Sequence, residues 1–369
     1  MHNSIDKIAR TIAKAGWDAV FCCSPDNATY CSGFMVPTHN RNRHRRVFTV
    51  ITADADSMMI VASVEENITK ANAYIKNVRA YNEFTDDPVA MLADFLRERQ
   101  IQRLGTELDY LFAPDYLRLR QLMPKLVLED CAPLLLELRS IKEEDEIASI
   151  RGCCDITTQV YRLLAAEARS TMTEMDLYGM CVGKMAALGV EYPRMALGSG
   201  VRAADINVKP SAKKLELGEM VRFDVLGAFQ NFNLDVARTA TVGPASAQQA
   251  DIWKRLREVH CRSIERIKPG ASTRDIYLKF NADMKSILQV EGGLNFLGHG
   301  LGLTSHEPPY FNLSSDAEIR ENMVMCIEPT YLMPGTGGYH IEDCLVVRGR
   351  GAEILSDFAF GERLFEILA

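Results

Sequence analysis

The 369-residue chain has no CxxC pair, no excess of basic charge and no histidine between His44 and His260. It also has no apolar run near the ~20 residues that a membrane-crossing helix needs. Each absence excludes something. Without CxxC, the ten cysteines do not read as a zinc or redox motif. Most of them (Cys22, Cys153, Cys326 and Cys344 among them) sit in apolar helical or strand contexts. They are expected to be reduced core residues of a cytoplasmic protein and not a disulfide framework. A net charge of −7 argues against a nucleic-acid partner, which cationic surface would attract. The missing apolar run argues against a membrane partner. MHNSIDKIARTIAKAGW spaces Ile5, Ile8 and Ile12 as an amphipathic helix and lacks the continuous apolar stretch of a leader peptide. The histidine gap leaves the middle of the chain without a side chain that ordinarily titrates near neutral pH.

What is present is an ordinary soluble globular composition, 47% hydrophobic and 25% charged, long enough for two domains. Up to about residue 137, strands (DAVFCCS, RVFTVITA, DSMMIVAS, LVLED) alternate with helices (DPVAMLADFLRERQ, LFAPDYLRLRQLMP). The expectation is a small α/β domain over residues 1–137 and a second domain over 138–369, together an α/β (α+β) chain.

The second domain repeats itself at a shift of 99 residues. VYRLLAAEARSTMTEMDLY from Val160 lies over VHCRSIERIKPGASTRDIY from Val259, matching Asp176 to Asp275 and Tyr178 to Tyr277. Each copy reads as helix, turn, helix, followed by a hairpin. In the first hairpin, FDVLGAFQNFNLDVART, a turn centred between Phe229 and Gln230 sets Asp224 opposite Asp235. In the second, centred on Gly335, Glu328 falls opposite Glu342. Like charges directly opposed on a sheet are destabilising. Buried carboxylates persist when paired, for which Arg238 is the nearest cation, or when they coordinate metal. Two hairpins related by a pseudo-two-fold would bring all four acids to one centre. There, two divalent ions would neutralise them, with His299 of GHGLGLTSHEPP as a fifth ligand. An oxygen-rich set of this kind suits manganese, with cobalt, iron or zinc as alternatives. Paired ions that share a water favour hydrolysis.

The order Asp224, Asp235, His299, Glu328, Glu342, with GHGLGLTSHEPP, IEPTY and YHIEDCLVV around the last three, resembles the pita-bread metallopeptidases of the prolidase, aminopeptidase P and creatinase branch. DAVFCCSPDNATYCSGF is similar to that branch's amino-terminal domain. The resemblance implies that Asp224 chelates one ion, Asp235 and Glu342 bridge both, and His299 and Glu328 complete the second. It further implies that a bridging hydroxide attacks the scissile carbonyl, that Glu328 acts as general base and that His306 steadies the tetrahedral intermediate. A homodimer is implied as well.

Two positions depart from that pattern. Asn207 stands where the peptidases carry a proton-shuttling histidine, and an amide cannot titrate near neutral pH. His340 stands where an arginine precedes the final IED. The run RNRHRRV reads as a solvated loop or, as the resemblance to creatinase-like dimers implies, as a source of Arg43, Arg45 and Arg46 for an anionic group on a substrate in the partner's active site. The expected activity is therefore hydrolysis of an amide or related C–N bond in a small molecule or short peptide, Xaa-Pro peptidase-like. A specialised non-peptidase hydrolase or lyase, of the creatinase kind or another, is the alternative. A binding protein that has merely kept the scaffold is the third reading, disfavoured because no ligand is missing.

Overall fold

The short apolar runs of the amino-terminal third become strands, buried along their whole length at Ala19–Cys22 and Phe48–Thr52, where the sheet is covered on both faces, and partly exposed at the edge strand Val127–Asp130. They are β1 (Ala19–Cys22), β2 (Phe48–Thr52), β3 (Ser57–Ala62), β4 (Val78–Tyr81), β5 (Arg103–Thr106) and β6 (Val127–Asp130). The computed structural model describes residues 4–290, 295–357 and 359–368. It divides the chain into two compact units, Met1–Arg139 and Ser140–Ala369.

In the first unit the strands form one mixed sheet in the order β4-β3-β2-β1-β5-β6. The helices are α1 (Ile5–Ala15), α2 (Pro25–Ser32), α3 (Glu66–Asn72), α4 (Pro88–Glu98), α5 (Ala113–Leu122) and α6 (Ala132–Ser140). The α1 stripe is the one expected: Ile5, Ile8 and Ile12 are buried while Lys14 closes the last turn. The ten cysteines form no disulfide, and all but Cys261 are buried.

The second unit carries the duplication. Helices α7 (Glu144–Glu167) and α8 (Glu174–Ala187) recur as α9 (Ala247–Glu265) and α10 (Thr273–Asp283). Even the caps correspond at the same shift. Thr173 accepts from the Asp176 amide at the start of α8, and Ser272 from the Asp275 amide at the start of α10.

After the first helix pair come β7 (Glu191–Ser199), β8 (Met220–Phe229) and β9 (Phe232–Val242). After the second come β10 (Gly298–Gly300), β11 (Val324–Ile327), β12 (Thr330–Met333), β13 (Gly337–His340), β14 (Asp343–Arg348), β15 (Gly351–Ile354) and β16 (Phe365–Ile367). Their sheets run β16-β9-β8-β7, β10-β11-β14-β15 and β12-β13.

The first hairpin corrects the expected register. Its turn residues are Gln230 and Asn231, at φ 53° and 70°. That is the two-residue turn with both centres left-handed, whose twist matches the flanking strands. The ladder therefore pairs Leu226 with Asp235 and Asp224 with Ala237. The two aspartates are diagonal neighbours on one face and not directly opposed. The second hairpin keeps the expected register: Thr330 faces His340 in β12/β13, and Ile327 faces Asp343 in β11/β14. Glu328 and Glu342 lie in the gap between these two ladders. There the Glu328 amide donates to Leu297 O and the Glu342 amide to Ala237 O.

Candidate metal centre

The site is built from the same-face positions of the two hairpins. Asp224 on β8 and Asp235 on β9 meet Glu328 and Glu342 from the ladder gap, with His299 on β10 beside them. The β10 backbone comes very close to its neighbours: a Cβ on Gly298 would stand 2.1 Å from Cys326 O, and one on Gly300 2.6 Å from Pro308 O. Side chains there would push His299 away from the acids.

Donor atoms of Asp224, Asp235 and Glu342 lie within 4.8 Å of one another, and so do those of His299, Glu328 and Glu342. The His299 ring faces Gly300 O through Nδ1 at 3.0 Å, which turns Nε2 toward the acids. Nε2 then stands 3.0 Å from Glu328 Oε1, 3.8 Å from Glu342 Oε1 and 3.9 Å from Asp235 Oδ2. It is hydrogen-bonded to none of them. Asp224 Oδ1, Asp235 Oδ2, Glu328 Oε1 and Glu342 Oε1 are likewise buried without a hydrogen-bond partner. Each such orphaned atom ordinarily costs about 1–3 kcal/mol. Oxygens and one imidazole nitrogen, converging and unsatisfied, fit divalent cations.

Charge is distributed unevenly in the cation-free cluster. Burial lifts Asp235 and Glu342 well above the usual carboxylate range, and the neighbouring acids add to it; Asp224 is raised too. Burial also pushes Glu328 upward, but the His299 and His340 imidazoles at its oxygens hold it at about 2. Arg238 does not neutralise the aspartates. It points to the opposite face and pairs with buried Asp343 at 2.6 Å.

The other expected residues separate into three places. His306 is half exposed, stacked on the His299 ring with centroids 3.7 Å apart, and its Nε2 is 3.9 Å from Asp235 Oδ2. Burial, and the His299 ring, bring it down to about 4, so it is neutral near pH 7. His340 is 1% exposed and lies behind Glu328, its Nε2 3.3 Å from Glu328 Oε2. It faces no open surface, and Glu328 is the acid beside it.

Asn207 is exposed on the wall of a cavity of about 530 Å³ that also includes Ala196 and Leu226. These two are the register partners of Asp224 and Asp235. Of the three candidate arginines, which lie in the first unit, Arg45 is paired with Glu83 at 2.7 Å and Arg46 with Asp115 at 2.5 Å. Arg46 also covers the Phe112 ring at 4.4 Å. Both guanidiniums are thus paired within their own unit. Arg43 is exposed, 5.6 Å from the same ring.

Four supporting residues escaped the sequence reading. Arg222, fully buried, donates to the carbonyls of Ala203, Asp205 and Ile206 and stands 3.4 Å from His340 Nδ1. A guanidinium only donates, so the His340 proton sits on Nε2, facing Glu328. Glu174, 0% exposed, accepts from the amides and hydroxyls of both Ser199 and Ser211. Together these two pin the segment that carries Asn207. Lys142 and Glu307 form a buried pair at 2.6 Å, with Glu307 adjacent to His306. The signal for Arg222 was its place two residues before Asp224 on a strand otherwise apolar at that end.

A buried, oxygen-rich donor set beside a substrate-sized cavity defines the class as metal-dependent hydrolase. Residues 148–349 match the profile of metallopeptidase family M24, and residues 5–141 that of the creatinase/prolidase N-terminal domain. The chain belongs to metallopeptidase family M24. It is 24% identical over 358 residues to the Xaa-Pro dipeptidase of Pyrococcus furiosus, covering 96% of this chain and 98% of that one. It is 26% identical over 366 residues to the Xaa-Pro dipeptidase of Pyrococcus horikoshii, covering 96% and 97%. The prolidase of Thermococcus sibiricus shares the pita-bread fold, with a TM-score of 0.85 at 22% identity over 97% of each chain. Among the described residues no helix is long and apolar enough to cross a membrane.

Proposed function

We propose that the protein is a dinuclear metal-dependent hydrolase that cleaves the C–N bond of a dipeptide or similarly small amide, in the manner of an Xaa-Pro dipeptidase. The observation that carries the reading is the set of overlapping donor triads whose buried atoms lack hydrogen-bond partners. Asp224, Asp235 and Glu342 would hold one divalent ion, and His299 and Glu328 the other together with Asp235 and Glu342. Manganese suits these donors best, and cobalt, iron and zinc are the alternatives. When bound, the pair of cations supplies Lewis acidity and lowers the pKa of water.

The remaining work falls to the chain's own side chains. Glu328, ionised across the neutral range, accepts the proton of the attacking water at Oε1 and delivers it to the departing nitrogen. His340 Nε2–H steadies the other oxygen of that carboxylate. Neutral His306 offers a ring N–H at the rim of the cluster, where it can donate to a carbonyl oxygen that gains charge. Asn207 can hydrogen-bond substrate from the cavity wall but cannot carry a proton through the reaction.

The relatives named Xaa-Pro dipeptidase support a dipeptide substrate. Asn207 favours a second reading, a non-peptidase amide hydrolase on the same centre. Metal analysis after manganese reconstitution, followed by turnover of Ala-Pro and of an Xaa-Pro-Xaa tripeptide, separates the possibilities. Two ions with dipeptide cleavage supports the first reading, and two ions without peptide cleavage supports the second. Less than one ion per chain removes both. The homodimer expected from the same resemblance is read by sedimentation equilibrium.

A further inference from the structure

Strand β7 enters its sheet through a bulge. Glu191 pairs with Ala228, but the next paired residue, Arg194, stands opposite Leu226, so Tyr192 and Pro193 occupy the space of one residue. Tyr192 sits at φ 53°, a left-handed conformation that costs a bulky side chain of order 1 kcal/mol or more. The extra residue decides which face the rest of β7 presents, because side chains alternate and a slip of one exchanges the faces. In the observed register Arg194 and Ala196 share the face of Leu226 and Asp224, while Met195 and Leu197 pack with Val225 and Phe223 in the core. Without the bulge, Arg194 would oppose Val225 and point into that core.

The cavity of about 530 Å³ on this face has a divided lining. Met175, Tyr178, Val208, Pro210 and Leu226 make an apolar wall, and Arg194 and Lys209 add two cations with no carboxylate among the lining residues. Among the described residues neither cation's side chain has a hydrogen-bond or ion-pair partner, although most other arginines of the unit are engaged. Arg194 is exposed, and its charge is felt inside the metal centre, where it acts to lower both Asp235 and His306. A free guanidinium, turned by a strained bulge toward a carboxylate-lined centre and set in an apolar cavity, is suited to bind an anion that the acids alone would repel.

We propose that Arg194, assisted by Lys209, is the specificity-determining anion site of this enzyme, so that its substrate bears a free carboxylate next to an apolar side chain or ring. The proposal rests on the hydrolase reading for the word substrate, yet the binding it describes can be measured without turnover. It moves anion recognition away from Arg45 and Arg46 and onto the second unit itself.

The probe pair is N-acetyl-leucine and N-acetyl-leucinamide, titrated calorimetrically into manganese-loaded protein. One charge-assisted contact corresponds to about tenfold in affinity or more, so the acid should bind at least that much more tightly than the amide. The double variant Arg194→Met/Lys209→Met should lose this preference while retaining the wild-type manganese content and melting temperature. Equal binding of acid and amide by the wild type, no binding of the acid at millimolar concentration, or a preference that survives in the variant would each overturn the proposal. With Ala-Pro as substrate, Arg194→Met should raise KM about tenfold and leave kcat within about twofold. If the acid is preferred and no peptide is cleaved, the anion site stands and the peptidase reading falls.

Discussion

Replacing Asp235 by asparagine should stabilise the cation-free protein, the reverse of what loss of a native buried charge ordinarily does. Asp224, Asp235 and Glu342 offer oxygens within 4.8 Å of one another. Two like charges at that separation repel by about 3 kcal/mol at an effective dielectric near 20. Burial and the adjacent acids hold Asp235 well above the usual carboxylate range, so wherever the proton is retained it already relieves part of this strain. The net gain expected for Asp235→Asn in chelator is therefore smaller, about 1–2 kcal/mol. For a unit of this size each kcal/mol moves Tm by about 2–4 °C, so calorimetry should record a rise of about 2–8 °C.

The pH dependence has a definite sign. Acids raised in the folded state bind more protons there than in the unfolded chain. The cation-free wild type therefore loses stability as pH climbs from the ordinary carboxylate range through the raised values, and the variant loses less. Manganese should reverse the order. At about 100 times Kd it stabilises the wild type by about 3 kcal/mol and does far less for the variant. A variant that melts below wild type in chelator, or that gains as much from manganese, would refute the claim that these acids are held together for a cation.

Two further outcomes follow from groups outside the cluster. Lys142→Met leaves Glu307 buried without its cation, and removing one member of such a pair costs about 3–5 kcal/mol in urea unfolding. Lys142→Met/Glu307→Gln should recover much of that stability; if it does not, the pair is not the source of the loss. Burial pushes His39 down to about 4 from the ordinary 6.5, with Nε2 3.0 Å from Cys23 O. The unfolded chain thus binds the extra proton between pH 6.5 and 4, and stability should drop as pH falls through that window. His39→Asn should remove on the order of 3 kcal/mol of the drop, leaving the share due to His260 and His306, which burial also brings to about 4. An unchanged pH slope in the variant would show that His39 is not the titrating group.

Much of this molecule could be read from its residues, and the failures have physical causes. The 99-residue repeat was legible because helix caps and apolar stripes recur together, and the matching Thr173 and Ser272 caps are its structural counterpart. The Gly335 hairpin was legible because its turn announces itself. The Gln230–Asn231 turn does not, since it contains no glycine, and the register was misjudged by two residues. That error kept the face and changed the partner, which is why the acids could still be grouped. Arg194 was invisible for a different reason. A bulge leaves only Pro193 as a trace in the sequence, and without the bulge the alternation assigns Arg194 to the wrong side of the sheet. Arg43, Arg45 and Arg46 looked like a single cationic cluster because their partners, Glu83 and Asp115, lie far away in sequence.

The four acids come in two pairs, and Glu342 follows Asp235 by more than a hundred residues. A molecule that has folded only its earlier hairpin holds two carboxylates and nothing able to cut a peptide. Contacts between such distant segments are among the last to be secured during folding. Catalytic competence is thus a late property of the finished chain.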